Sequence, residues 1–236
     1  MKPNLIILIL VIIGLYSCGQ IPKQKPNNVS IDFVSIDNLK SREIFNPNST
    51  DPNTFIDTES TYPLSKNQNI IIQNSLPKGG AIYGIHSSLN SNKTAYGYGV
   101  FWSRIVNETD KTLEISINFP ADSFAIPSSP GSYFKLFLPP DTMNFNKLSS
   151  LDYGVKDLKS FINTNFHQPS MVQKMIEPNE EYVFYTTLLI HQPIDGPIRT
   201  GFVLKDSALF YRTNIPPFDT DLIPCGQIVF LKLARF

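Results

Sequence analysis

The sequence has little charge, and neither sign of charge is in excess. Charged residues make up 17% of its 236 residues, and the 20 Lys and Arg residues equal the 20 Asp and Glu residues in number. A protein that is held to nucleic acid or to an anionic membrane surface by its charge is expected to be basic. We therefore expect no nucleic-acid partner.

Cysteine is scarce, since the chain has only Cys18 and Cys225. Motifs with a defined mechanism are missing as well, among them Cys-x-x-Cys, His-Glu-x-x-His, Gly-x-Ser-x-Gly and a glycine-rich phosphate loop. The histidines His86, His167 and His191 lack the short spacing that metal ligation favours. We expect no enzymatic activity, no metal and no cofactor, and an inert, buried thiol at Cys225.

An apolar run from Leu5 to Leu15 follows Lys2, and it is too short to span a bilayer, which needs about 20 residues. A cationic start followed by about 7–15 apolar residues is typical of a secretory signal peptide. The next residues, Leu15-Tyr16-Ser17-Cys18-Gly19, resemble the lipobox of bacterial lipoproteins, although Tyr16 is bulkier than the usual residue there.

The resemblance to lipoproteins implies that the chain is cleaved before Cys18 and that this cysteine is acylated, which gives a stable membrane anchor. The alternative is an ordinary secreted protein that is cleaved at another point. Gly19-Gln20 lacks the Asp that resembles a signal for inner-membrane retention, and no acidic run of the kind associated with surface export follows. The resemblance therefore implies an outer-membrane lipoprotein that faces the periplasm.

The chain divides into four segments on this interpretation. Residues 1–17 are the signal peptide, and residues 18–29 are the lipidated cysteine and a flexible tether rich in Pro, Lys, Gln and Asn. Residues 30–68 are rich in Pro, Asn, Ser and Thr, and we interpret them as an irregular segment packed on the core. Residues 69–236 form the folded domain.

Two stretches predict the centre of that domain. Tyr98 to Val106 is apolar at nearly every position and contains Trp102, which predicts a strand covered on both faces with a buried tryptophan. Leu113 to Phe119 alternates between apolar and polar residues, which predicts a half-buried strand. The polar residues Asn107 to Lys111 predict a turn that joins the two strands as an antiparallel hairpin.

Short strand patterns separated by turns continue to the end of the chain, with 19 prolines in all and one helical pattern over Asp152 to Asn163. They predict an all-β fold, an antiparallel β-sandwich of Ig-like character with one short helix inserted in a loop. The likeness to bacterial Ig-like modules is generic, and it implies no particular function.

Aromatic residues among small polar ones give contact area at a low entropic cost, and several lie at predicted strand ends. The loop Pro120 to Gly131 and the turn Pro139 to Met143 flank one strand, and they share a surface only if the loop folds back. The candidate binding residues are Asp122, Phe124, Tyr133 and Asp141. The alternative is that the aromatic residues belong to the core, since strands favour them.

We expect a non-enzymatic, lipid-anchored cell-envelope protein that binds a partner or ligand, such as an envelope protein or a glycan, through the loops of the sandwich. The alternative is a lipid-anchored envelope hydrolase whose catalytic residues converge from separate loops.

Replacing the cysteine of the lipobox is expected to remove the anchor. Cys18→Ala should abolish incorporation of a labelled fatty acid and leave the precursor uncleaved, because the resemblance assigns both steps to this residue. Cys225→Ala is the matched control and should be labelled as the wild type is. Labelling that survives in Cys18→Ala would contradict the lipoprotein interpretation.

Overall fold

The computed structural model describes residues 46–85, 95–126, 129–192, 196–215 and 221–231. The predicted signal peptide, the lipidated cysteine and the tether lie outside these ranges. Within them no helix is long and apolar enough to cross a membrane.

Twelve strands and one α-helix make up most of the described chain. In chain order the strands are β1 (Ile56–Ser65), β2 (Gln68–Ser75), β3 (Lys78–Tyr83), β4 (Ala95–Glu108), β5 (Leu113–Phe119), β6 (Phe124–Ala125), β7 (Tyr133–Phe137), β8 (Ser170–Ile176), β9 (Glu181–Ile190), β10 (Arg199–Lys205), β11 (Ala208–Asn214) and β12 (Asp221–Phe230). The helix α1 is Leu158–Asn165, and 3₁₀ helices occupy Pro52–Phe55, Phe145–Lys147 and Leu151–Gly154.

The strands form two antiparallel sheets. The first sheet has seven strands in the order β1-β2-β4-β9-β7-β6, with β3 also paired to β4. The second sheet has five strands in the order β10-β11-β12-β5-β8. This arrangement confirms the predicted all-β antiparallel sandwich with one short helix inserted in a loop.

The central strand β4 is covered on both faces, as predicted. Phe101 and Ile105 pack into the core between the two sheets. Val100 and Trp102 point to the opposite face, and there they pack under residues 139–169, which we call the covering segment. All four side chains are at most 2% exposed. The molecule therefore has two cores, one on each face of the first sheet.

The prediction of a hairpin between β4 and β5 is wrong, since β4 belongs to the first sheet and β5 to the second. The buried Asn107 explains the crossing. Its side-chain Nδ2 donates to the carbonyl oxygens of Lys111 at 2.8 Å and Ile176 at 3.0 Å. Its Oδ1 accepts from the backbone N–H of Thr109 at 3.1 Å. These bonds hold the connection against the start of the turn after β8.

The prediction of an irregular segment over residues 30–68 is wrong in its second half, because β1 spans Ile56–Ser65. The part before residue 46 lies outside the described residues. Only Tyr62 of β1 is buried, and the strand lies at the edge of its sheet. An edge strand of this kind carries polar residues and tolerates Pro63, so it lacks an apolar pattern.

The helix begins later than predicted, at Leu158 instead of Asp152. Asp152 and Tyr153 have φ angles of 49° and 53°, and Gly154 has a φ of 75°. Three successive left-handed residues cannot continue a right-handed helix. They turn the chain back against the first sheet before the helix starts.

The side chain of Asn74 joins the two sheets through the hydrogen bonds that a neighbouring strand would make. The carboxamide of Asn74, on β2, donates to the carbonyl oxygen of Phe202 at 3.1 Å and accepts from the N–H of Phe202 at 2.8 Å. Phe202 lies on β10 of the other sheet. Gly201 leaves the room for this contact, since a Cβ there would lie 2.3 Å from Cγ of Asn74.

Removing the Asn74 carboxamide is expected to destabilise the sandwich. Asn74→Ala leaves the buried N–H and C=O of Phe202 unpaired, at about 1–3 kcal/mol for each group. Urea unfolding of the mature protein measures the change. The exposed Asn118 of β5 provides the control, because Asn118→Ala should change stability by no more than about 0.5 kcal/mol. Equal effects of the two substitutions would contradict this role of Asn74.

Candidate functional site

A cleft lies on the outer face of the first sheet, where β4 and β7 begin and β9 ends. The register places Gly97 opposite Ile190, and Ile190 opposite Phe134. The next cross-strand row therefore contains Tyr96, His191 and Tyr133, and the N–H of His191 donates to the carbonyl oxygen of Tyr133 at 2.8 Å.

The cleft has a volume of about 150 Å³, and we call it the aromatic cleft. It is lined by Tyr96, Ser123, Tyr133, Phe134, Lys135, Phe166, Leu189 and His191.

Aromatic rings meet edge to face around the cleft. The ring centroids of Tyr96 and His191 are 5.7 Å apart, and those of Tyr96 and Phe166 are 6.4 Å apart. Phe166 directly follows α1, so the covering segment brings this ring over the sheet. Tyr133 is 48% exposed, which leaves its side chain available to a ligand. The arrangement is a small apolar surface with phenol and imidazole groups at its rim.

The imidazole of His191 has an unsatisfied atom. Its Nδ1 is buried and has no hydrogen-bond partner in the described part of the chain. Buried polar atoms nearly always have a partner, so an exception calls for an explanation such as a bound group. This nitrogen is closed to solvent, so the surface of the cleft does not expose it.

A lysine is buried beside it. The Lys135 side chain, on β7, is 2% exposed, its Nζ donates to the carbonyl oxygen of Ala121, and it lies 5.5 Å from the ring centroid of Phe137. Burial lowers the pKa of Lys135, and the charge of Asp122 opposes this shift. The cleft thus contains a cation that has lost much of its hydration.

The structure brings only some of the predicted binding residues to this cleft. Tyr133 lines it, and Asp122 acts on the charge of Lys135 beside it. Phe124 instead stacks on Phe134, with centroids 5.3 Å apart, and packs against the core between the sheets. Its position agrees with the alternative that this aromatic residue belongs to the core.

Asp141 lies in a different place, a second groove of about 290 Å³ between the chain after β7 and the start of β8. Its Oδ2 accepts from the N–H of Lys156 at 2.8 Å, which helps to fold the covering segment. The loop Pro120 to Gly131 and the turn Pro139 to Met143 therefore contribute to separate grooves. Cys18, the predicted lipidation site, lies outside the described residues.

Sequence reasoning missed His191, Lys135 and Phe166. A signal existed for Lys135, because it interrupts the otherwise apolar strand Tyr133–Phe137. A charged residue inside a buried strand points to a local polar function. His191 and Phe166 gave no such signal, since His191 is placed by the register of β9 and Phe166 by the path of the covering segment over the sheet.

A second polar cluster lies beside the cleft, under the covering segment. The hydroxyl of Tyr98 donates to the carboxylate of Asp152, 3.1 Å from each oxygen. Lys78 donates from Nζ to the carbonyl oxygens of Leu148 at 2.5 Å and Ser150 at 2.9 Å. Both sets of bonds join a strand of the first sheet to the covering segment, so the cluster fixes that segment to the sheet.

Burial changes the protonation of this cluster. It raises the pKa of the Asp152 carboxyl, while the hydrogen bond from Tyr98 and the charge of Lys78 act in the opposite direction. The pKa of Tyr98 is raised to about 12, first by burial and then by the charge of Asp152. Burial also lowers the pKa of Lys78.

Cysteine, possible metal ligands and serine are the other groups that could carry chemistry. Cys225 is 3% exposed and burial raises the pKa of its thiol to about 12, as expected for an inert thiol. The described ranges contain no group of three His, Cys, Asp or Glu residues placed to hold a metal ion. Ser123 and His191 both line the cleft, but no hydrogen bond joins their side chains in the described structure.

Comparison with known proteins assigns no function to this site. No protein-family model matches the chain, and no curated protein matches it closely.

Neutralising Asp152 is expected to maintain or increase stability at neutral pH. The pKa of the Asp152 carboxyl is raised in the folded protein, so the folded state holds this proton more tightly than the unfolded state does. The stability of the fold therefore falls as the pH rises from the usual carboxyl pKa through the raised one. Asp152→Asn keeps an acceptor for Tyr98 and should remove that fall. Thermal unfolding between pH 3 and pH 8 measures it.

The exposed Asp110 supplies the control for this measurement, because Asp110→Asn should leave the pH profile unchanged. If Asp152→Asn instead lowers stability strongly at pH 7, the attraction between Asp152 and Lys78 outweighs the cost of burying the carboxylate.

Proposed function

We propose that this protein is a lipid-anchored protein of the cell envelope that binds a ligand in the aromatic cleft and does not act on it chemically. The observation that carries the proposal is the cleft lined by aromatic rings, with Tyr133 48% exposed at its edge. Aromatic side chains give a ligand a large contact area at a low cost in conformational entropy.

The lipobox resemblance at Leu15 to Cys18 supports the anchor, and the polar residues that follow suit a tether. We propose the outer membrane as the site of anchoring, with the domain facing the periplasm. A domain held near a membrane by a flexible tether meets envelope molecules at a high local concentration.

Several residues of the cleft lie on central strands or directly at their ends. This placement favours a rigid binding site over a site built from mobile loops. Tyr96 and His191 lie at the ends of β4 and β9, and each of these strands is paired on both sides. Tyr133 lies on β7, which pairs with both β9 and β6. Side chains on such strands lose little freedom when a ligand binds, so even a small cleft retains useful affinity.

The hydrolase alternative requires a nucleophile that is activated by a base in hydrogen-bond contact. Ser123 and His191 share the cleft without such a bond, and the nearby Asp122 acts on Lys135. This geometry supports the binding function as the better proposal.

A screen of ligand classes tests the proposal. Saturation-transfer NMR of the mature protein with separate sets of sugars, amino acids, short peptides and nucleosides should give at least one class that binds. Tyr133→Ala should weaken that binding by about tenfold or more, since stacking area is lost. Tyr83, which is 56% exposed and does not line the cleft, supplies the matched control Tyr83→Ala.

Three results would contradict the proposal. The first is that no class binds, and the second is that Tyr83→Ala weakens binding as much as Tyr133→Ala does. The third is that a fluorophosphonate probe labels the wild type but not Ser123→Ala, because labelling of that hydroxyl would favour the hydrolase.

A further inference from the structure

We propose that residues 31–36 of this chain dock in the second groove as an added strand, alongside the open part of β9. This groove is separate from the aromatic cleft, so the inference goes beyond the proposed function. The occupant is a segment of the chain itself, and it precedes the described ranges of the structure.

The strand β9 is paired along its whole length on one side and along only part of its length on the other. Its pairing with β4 runs from Glu181 to Ile190. Its pairing with β7 runs only from Thr187 to Ile190, and β7 ends at Phe137. In the described sheets, residues 181–186 therefore have no strand partner on the side of β7. Every second residue there points its backbone N–H and C=O away from β4, where an added strand pairs with them.

The second groove, of about 290 Å³, lies along this open edge. One wall is the part of β9 from Tyr182 to Tyr185, and the other wall is the chain after β7, residues 138–142. Pro139 and Pro140 have no backbone N–H, which explains why the ladder of β7 does not continue along β9. The groove is thus the space of a missing strand.

The groove is apolar on both faces of the first sheet. On the inner face, Phe184 belongs to the core between the sheets, and the half-buried Val172 of β8 packs against that core. On the outer face, Tyr185 belongs to the outer core, and the half-buried Val183 packs against it. A strand added here meets apolar side chains on both of its faces, so it should itself be apolar on both faces.

The sequence of residues 31–36, Ile-Asp-Phe-Val-Ser-Ile, has this property. In an extended strand Ile31 and Phe33 lie on one face, and Val34 and Ile36 lie on the other. These are β-branched and aromatic residues, which strands favour. Residues 19–30 contain two prolines and residues 86–94 are mostly polar, so neither of these stretches outside the described ranges has the same pattern.

The described chain begins close enough for residues 31–36 to reach the groove. Phe55 packs on Tyr153 with ring centroids 5.8 Å apart, and the carbonyl oxygen of Tyr153 accepts from the hydroxyl of Tyr185 at 2.7 Å. From β1 to the added position, the first sheet measures about 19 Å at about 4.8 Å per strand. The nine residues 37–45 span up to about 30 Å when extended, which exceeds this width.

The other open edges in the described sheets suit this segment less well. The edge strand β1 is largely polar, and only its Tyr62 is buried. The free side of β10 already bonds to the side chains of Asn74 and Tyr62. The strand β3 begins Lys78-Gly79-Gly80, so it offers few side chains to pack against.

Docking sets how far the domain can move from the membrane, and this consequence alone rests on the proposed lipid anchor. With residues 31–36 docked, the tether is residues 19–30, which span at most about 40 Å. Without docking, residues 19–45 span about 90 Å. The docked segment therefore holds the domain closer to the lipid surface.

Disulfide mapping in the mature protein tests the docking. Val183→Cys is combined with one cysteine at each of positions 31–36 in turn, and the protein is oxidised and digested for mass spectrometry. An intramolecular disulfide should form at one or two of these positions, because paired strands bring Cα atoms within the range that a disulfide needs. Val183→Cys alone accounts for any link to Cys18 or Cys225.

The matched control places the second cysteine at Thr61, which is exposed on the edge strand β1. Thr61→Cys should give about tenfold less disulfide, since an undocked segment meets it only at the effective concentration of a flexible chain. A further variant, Phe33→Asp, should lower the urea midpoint of the mature protein, while Ile21→Asp in the tether should leave it unchanged. Tyr133→Ala should leave the disulfide yield unchanged, because the aromatic cleft is a separate site.

The absence of a disulfide at Val183→Cys, or an equal yield at Thr61→Cys, overturns the docking. A disulfide that joins two chains shows that a second copy supplies the strand, and it also overturns the proposal. The disulfide does not depend on acylation or on ligand binding. A negative result here therefore leaves the proposed function standing, and a failure of the anchor or of the aromatic cleft in its own test leaves the docking standing.

Discussion

The hydrogen bonds between the Asn74 carboxamide and the backbone of Phe202 join the two sheets at a point where no strand pairing does. They give β10 the partner atoms that a neighbouring strand would give. The contact requires the absence of a side chain at Gly201, so the two sheets approach this closely here because the residue is a glycine. The ring of Phe202 also lies in the core between the sheets, 5.3 Å from the ring of Phe184 on the first sheet.

The first sheet is itself buried on both faces. With the second sheet on one side and the covering segment on the other, β4 places Phe101 in one core and Trp102 in the other. The aromatic cleft lies at the end of the outer core, where the covering segment stops and leaves Tyr133 uncovered. Its position is therefore a consequence of how far residues 139–169 extend over the sheet.

The sequence analysis predicted the strands that a local residue pattern determines. It was wrong where contacts between residues far apart in the chain determine the structure. The alternation over Leu113–Phe119 and the apolar run around Trp102 predicted two real strands, and the all-β sandwich followed from such patterns. The false hairpin arose because Asn107 bonds to Ile176, far along the chain, and no local signal reveals that bond. Of the predicted binding residues, only Tyr133 lines the cleft, and His191 comes beside it only because β9 pairs with β7.

The buried polar groups of Lys135 and His191 need rigid support, which the paired strands of the first sheet provide. A buried Lys135 and an unpaired Nδ1 of His191 each oppose folding, and a loop that carried them would rearrange to expose them to water. Paired strands covered on both faces resist that rearrangement, because exposing one side chain would break the register of three strands. The paired strands therefore hold Lys135 against the carbonyl oxygen of Ala121 and keep the imidazole of His191 edge to face with Tyr96.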